Sequence, residues 1–136
     1  MRMILIPLAA AAIGAGAIAI AAPGNRNDRA AADEAAFQKE VSGLVPGKPV
    51  DCIGTRLNNG SVKAIGSRLI YRINSKRVYV NETNGGCEAV ARGDALVTRQ
   101  FSTQLCRGDI ARTVNMPARI DSGTCTMGSF IPYQAR

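Results

Sequence analysis

The sequence predicts a mainly β domain: a small antiparallel β-barrel or sandwich, held by two disulfides and preceded by one N-terminal helix. Three observations carry that expectation. Four cysteines, Cys52, Cys87, Cys106 and Cys125, all follow residue 50. Short runs of β-branched and alternating residues are separated by Gly and Asn clusters. Ahead of them stands one Ala-rich stretch whose apolar residues keep helical spacing.

The first segment reads as an export leader. Met1-Arg2-Met3 is short and basic, residues 4–20 are uncharged and rich in Ala, Ile and Gly, and Ala19-Ile20-Ala21 has the small-residue pattern of a cleavage site. Cleavage after Ala21 is expected rather than after Ala22, because Pro23 at the scissile bond hinders attack. The alternative is a retained anchor: the run is about long enough to span a bilayer, though its glycines and alanines make it weakly apolar. No cysteine follows it, so lipid anchoring of the bacterial lipoprotein type is not expected. A signal peptide over 1–21 places the chain in the periplasm or outside the cell, with no membrane span after cleavage.

Residues 22–49 are expected to form an Ala-rich helix and a Pro-containing linker. In NDRAAADEAAFQKEVSGLV, Asn27 or Asp28 can cap the start and Gly43 can end it. Phe37, Val41 and Leu44 fall on one narrow stripe. The Ala-rich first half has little to bury, so docking is expected only near Phe37. Pro46 and Pro49 then lead in extended form to Cys52 and a disulfide-linked β domain over 50–136.

Within that domain RLIYRINSKRVYVNET reads as a hairpin. A turn at Ser75-Lys76 sets Ile73 against Val78 and Tyr71 against Val80, with Arg72 opposite Tyr79 in a cation–π contact. A turn at Asn74-Ser75 would set Arg72 against Arg77, which is unfavourable. Ser-Lys is not a favoured two-residue turn, so a longer loop is the alternative. Further strands are expected over 62–65, 96–101, 110–114 and 124–131, separated by Asn58-Asn59-Gly60, Asn84-Gly85-Gly86, Gly93-Asp94 and Asp121-Ser122-Gly123. With few aromatics, the core is small and disulfides compensate for it.

An even cysteine count in an exported chain implies two disulfides. Of three possible pairings the expected one is nested. Cys87–Cys106 closes a 20-residue loop, worth about 3 kcal/mol in the chain-entropy model, and Cys52–Cys125 ties the first strand to the last. The wide gaps, the lack of C-x-x-C and the lack of any histidine argue against a metal site or a redox catalyst. No metal and no cofactor are expected.

Residues 22–46 carry three basic and four acidic groups, whereas residues 47–136 carry thirteen basic and six acidic ones, a net +7. A basic protein of this kind attracts polyanions such as lipopolysaccharide, acidic lipid or wall polymers. The bland alternative is a solvated surface that keeps an exported protein in solution. Arg68, Arg72, Arg77, Arg99 and Arg112, spread over the expected strands, are the candidate anion-binding residues. Nucleic acid is not an expected partner, because stacking aromatics are few and the chain leaves the cytoplasm.

VDCIGTR, TQLCRGDIARTV and SGTCTMGSFIPY carry a resemblance. They are similar to an uncharacterised family of small exported four-cysteine proteobacterial proteins, a domain of unknown function. The matching residues are Cys52-Ile53, Gly86-Cys87, Leu105-Cys106 with Asp109, and Cys125 with Gly128, Phe130 and Pro132. The match spans roughly residues 50–133 and leaves out the helix; an Asp-Asp turn found between the first strands of many members is replaced here by AIGSRLI. The resemblance implies an exported, disulfide-linked, mostly β protein, and carries no activity.

Catalytic signals are sparse. Without histidine the Ser-His-Asp and Cys-His arrangements are absent. Paired carboxylates would have to come from Asp51, Glu82, Glu88, Asp94, Asp109 and Asp121, whose spacing forces no two together. Asn81-Glu82-Thr83 is a glycosylation-type triplet of little weight in a bacterial-looking chain. The glycines of NETNGG lack the lysine and helix of a phosphate loop and suit a turn leading into Cys87. Arg107-Gly108-Asp109 is an adhesion tripeptide by composition, but it reads as the short lead-in to a strand, with Asp109 accepting local backbone hydrogen bonds. The expectation is a non-enzymatic envelope module with a basic surface for an anionic component or a protein partner. The alternatives are a carboxylate-dependent hydrolase of wall or glycan material, and a secreted protease or lysozyme inhibitor presenting residues 87–106.

Overall fold

The computed structural model describes residues 25–54, 61–100 and 102–136. The expected leader, the turn at Asn58-Asn59-Gly60 and the last residue of the expected strand 96–101 lie outside the described residues. No helix among the described residues is long and apolar enough to cross a membrane.

Helix α1 (Arg26–Glu40) begins at Asn25, slightly earlier than expected, and stops at Val41. Gly43 then takes a φ of 74°, the left-handed conformation that turns a chain out of a helix. Among the described residues the strands that follow are β1 (Val45–Pro46), β2 (Cys52–Gly54), β3 (Val62–Ile65), β4 (Arg68–Asn74), β5 (Arg77–Glu82), β6 (Ala95–Thr98), β7 (Gln104–Cys106), β8 (Ile110–Asn115), β9 (Ile120–Thr126) and β10 (Phe130–Gln134). A 3-10 helix (Glu88–Arg92) separates β5 from β6. The stretch expected as one strand over 124–131 is two, broken around Met127-Gly128-Ser129. The Pro-containing linker is not free of the sheet either: Val45 and Pro46 pair with β10, and Val50 bridges Phe130.

All pairings are antiparallel and fall into three sheets: β1-β10-β5-β4-β3, β2-β7 and β6-β8-β9. The arrangement is sandwich-like and does not close into a barrel. Side chains from all three sheets meet in one core, where Ile53, Leu69, Tyr71, Leu105, Ala111, Met127 and Phe130 surround Cys87 and Cys125. Tyr71 and Phe130 meet edge to face with ring centroids 5.9 Å apart, and burial pushes the Tyr71 phenol above its usual titration range. The opposite face of the five-stranded sheet offers Ile65, Ile70, Val78 and Val80 to Phe37 and Val41 of the helix segment, with Leu44 and Tyr133 at the margin. The central strands are thus apolar on both faces.

The disulfides differ from the expected nested pairing. Cys52 joins Cys106, and Cys87 joins Cys125. The reason lies in strand order. β2 pairs with β7 in a register that sets Cys52 directly opposite Cys106. The Gly85-Gly86 turn meanwhile lies along β9, bringing Cys87 to Cys125. Contact there is between bare backbones: a Cβ on Gly86 would stand 2.1 Å from the Thr124 carbonyl oxygen, and one on Gly123 would stand 2.0 Å from that of Gly86.

The β4–β5 hairpin does turn at Ser75-Lys76, with Asn74 opposite Arg77 and the Asn74 side chain accepting from the Lys76 amide at 2.8 Å. Its register, however, is shifted by a bulge between Arg72 and Asn74. Tyr71 therefore faces Tyr79 and Arg72 faces Val78, which removes the expected Ile73–Val78, Tyr71–Val80 and Arg72–Tyr79 pairs. The cation–π contact found instead is Arg68 over Phe37, 4.3 Å from the ring centroid.

Candidate anion-binding face

The five candidate arginines separate into two groups. Arg68 donates to Glu34 at 2.7 Å and to Glu82 at 3.4 Å. Arg72 donates to the Glu40 carboxylate at 2.7 Å and to the Glu40 carbonyl oxygen at 3.1 Å. Arg77 donates to Gln134 at 3.2 Å. Arg68 and Arg72 fasten the five-stranded sheet to α1, and Arg77 bridges two neighbouring strands within that sheet, β5 and β10. Glu40, held by Lys63 and Arg72, titrates below the ordinary carboxylate range, and so does Glu34, held by Gln38 and Arg68.

Arg99 and Arg112 lie elsewhere, on the outer face of β6-β8-β9. Cross-strand register places Val97, Arg112 and Thr124 in one row across the three strands. The next row holds Ile110 opposite Thr126, with the Arg99 amide donating to the Ile110 carbonyl at 3.2 Å. Val97, Thr98, Arg99, Ile110, Arg112 and Thr124 line an open groove of about 530 Å³. Arg112 donates to Asp121 at 3.3 Å, with both side chains more than half exposed. Such a pair is weak in water and can share its guanidinium with an arriving phosphate or carboxylate.

Sequence reasoning found the two arginines of this face but missed its apolar partners. The alternation in DIARTV was visible, but its direction inverts hydropathy. Ala111 and Thr113 are fully buried while Ile110 is 58 % exposed. The inward side faces Cys125 and the glycine contact, where only small side chains fit.

The six acids of the domain are each engaged locally. Asp51 accepts from Ser129, Glu82 pairs with Arg68, Glu88 accepts from the Gly86 amide, Asp94 accepts from Asn115, Asp109 accepts from the Cys106 amide and Asp121 pairs with Arg112. Hydrogen bonds from Ser122 and Asn115, with Arg92 nearby, hold Asp94 below the ordinary carboxylate range. Among the described residues no three His, Cys, Asp or Glu side chains gather as a metal site would need.

Arg107-Gly108-Asp109 forms a tight turn between β7 and β8. The Asp109 carboxylate accepts from the Cys106 amide at 2.7 Å, the Gly108 amide donates to the Met127 carbonyl at 2.9 Å, and the Arg107 amide donates to the Asp51 carbonyl at 2.7 Å. The tripeptide is stitched into the fold by its own backbone. Residues 87–106 are not a disulfide-bounded loop, since each end bridges to a different partner; the inhibitor reading loses the feature it relied on.

No protein-family model, no curated protein and no solved structure matches this chain.

Proposed function

We propose that this chain is a non-enzymatic, exported envelope module that holds an anionic envelope component on its β6-β8-β9 face through Arg99 and Arg112. Membership of the four-cysteine exported family that its cysteine motifs resemble belongs to the same proposal. The observation that carries the reading is the placement of the arginines: Arg68 and Arg72 lie against the helix and Arg77 within the five-stranded sheet, whereas Arg99 and Arg112 line one open groove with Val97, Thr98, Ile110 and Thr124. Two disulfides support an oxidising compartment. The local engagement of the six acids supports a binding role over hydrolysis.

The test is co-sedimentation of the oxidised protein with phosphatidylglycerol vesicles, with lipopolysaccharide and with a soluble anionic wall polymer, at low and at physiological salt. Retention on at least one is expected, falling steeply with salt as screened charge contacts do. Joint Arg99→Glu and Arg112→Glu substitution is expected to lower retention by at least about tenfold, given roughly 1 kcal/mol per arginine at an anionic surface. Unchanged retention in the double variant, with unchanged Tm, sinks the assignment of this face.

A further inference from the structure

We infer that the anionic component is a lipid bilayer surface, and that the β8–β9 hairpin tip inserts Met116 and Ile120 among its headgroups. This rests on the basic-face reading above and narrows it to one partner.

The tip, NMPARI, sets two ordinary turn formers, Asn115 and Pro117, beside two large apolar residues, Met116 and Ile120. Here Asn115 supplies the polar closure: its carbonyl accepts from the Arg119 amide at 2.7 Å and its side-chain oxygen accepts from the Ala118 amide at 3.0 Å. The Asn115 side-chain amide also donates to Asp94 at 3.0 Å, fixing the tip to the start of β6. Outward stand Arg119 and two large apolar side chains. Met116 is 60 % exposed and Ile120 is 61 % exposed, on either side of Arg119. Among the described residues, four of the six large exposed apolar side chains (Val97, Ile110, Met116 and Ile120) belong to this one sheet and its turn.

Charge selects the occupant. Arg92, Arg99, Arg112 and Arg119 lie on this sheet and its flanks. Of the three acids on it and its flanks, Asp121 pairs with Arg112, Asp94 accepts from Asn115 and Asp109 accepts from the Cys106 amide. Apolar side chains at a tip that carries Arg119, with Arg112 further along the same hairpin, match an anionic interface, where the former pass below the phosphates and the latter stay among them. The Cys87–Cys125 bridge anchors the base of the hairpin in the core, so binding orders little new chain. A soluble polyanion would satisfy the arginines and leave Met116 and Ile120 in water. A bilayer satisfies both.

The chain contains no tryptophan, so Met116→Trp installs a single reporter. With phosphatidylglycerol vesicles at low salt its emission is expected to shift to the blue and to be quenched by brominated acyl chains. Val45→Trp, on the edge of the other sheet, is expected to keep its solution spectrum. Ile120→Trp repeats the reading if the first variant fails to fold. Joint Met116→Ser and Ile120→Ser substitution is expected to weaken vesicle binding by about tenfold or more, from the lost burial of two large apolar side chains. Vesicle binding without a shift at either tip position overturns insertion and leaves the basic-face reading standing. Binding to soluble polymer but not to vesicles does the same. A blue shift that needs no lipid and grows with protein concentration shows the tip packing on a second copy, and overturns the proposal. Loss of binding to vesicles, lipopolysaccharide and polymer alike brings down both readings.

Discussion

Asn81 is the residue on which the joint between the sheets turns. It is fully buried in β5, yet its side chain acts as a length of backbone. Its Nδ2 donates to the Gly128 carbonyl at 2.7 Å, and its Oδ1 accepts from the Gly128 amide at 3.0 Å. Gly128 must be glycine there, because a Cβ would lie 2.1 Å from the Glu82 carbonyl oxygen. Asn81→Leu keeps the volume but strands the half-buried N–H and C=O of Gly128. A loss of about 2 kcal/mol is expected, from two part-buried unsatisfied groups at the low end of roughly 1–3 kcal/mol each, read as a lower denaturant midpoint at unchanged m-value. A midpoint shift too small to measure would show that water replaces both bonds. The sequence offered Asn81 only as part of a weak glycosylation triplet. A polar residue inside an apolar strand is visible in a sequence; the partner 47 positions away is not.

At the level of elements, the helix was readable and its attachment was only partly so. The Phe37, Val41 and Leu44 stripe does face the sheet, and the Ala-rich first half is largely exposed, as its composition implied. The charged clasp was hidden, because Glu34 and Glu40 find Arg68, Arg72 and Lys63 only once the sheet register is set, and that register depends on a bulge no turn rule announces. The clasp has a pH signature. Both carboxylates titrate below the ordinary value of 4.5 in the folded state. Their contribution is therefore fully present above that value and is lost as pH falls through the depressed folded values. Tryptic cutting at Lys39 cannot be followed in acid, so amide exchange of residues 34–41 is the measurement: protection is expected to hold from neutral pH down to the ordinary carboxylate value and to fall progressively below it. Glu40→Gln is expected to cost about 1 kcal/mol at pH 7, the upper end for a partly exposed ion pair, and to flatten the acid-induced drop. A variant whose exchange profile matches the parent at every pH would mean that the apolar stripe alone holds the helix.

Across the whole molecule, what was legible was the number of crosslinks, and what was not was their topology. Four cysteines in an exported-looking chain imply two bridges, but which two depends on which strands become neighbours, and strand order is a long-range property. The nested guess presumed that the first and last strands meet at the cysteines. In the structure the strands beside β10 are β1 and β5, while β2 lies against β7. The bridges consequently interleave, spanning 54 and 38 positions. Each is worth about 4 kcal/mol in the chain-entropy model, a large share of the stability of a domain with so small a core. Their settings differ. Cys87 and Cys125 are 2 % and 1 % exposed at the centre of the core, while Cys52 and Cys106 are half-buried on the two-stranded sheet. Reductant reaches the second pair without unfolding the first. Titration with dithiothreitol under native conditions is expected to open Cys52–Cys106 first, giving an intermediate with two alkylatable thiols and a lowered Tm. Cys87–Cys125 is expected to open only with global unfolding. Cys52→Ser with Cys106→Ser should then still yield a folded chain. Cys87→Ala with Cys125→Ala should be the more damaging pair, because it removes a crosslink and also empties the space between Ala111, Leu105 and Phe130 that the bridge fills. Tryptic mapping of the oxidised protein decides the premise: the Cys52 peptide must travel with that of Cys106, and a Cys87–Cys106 peptide would return the chain to the nested topology and break the pairing of β2 with β7.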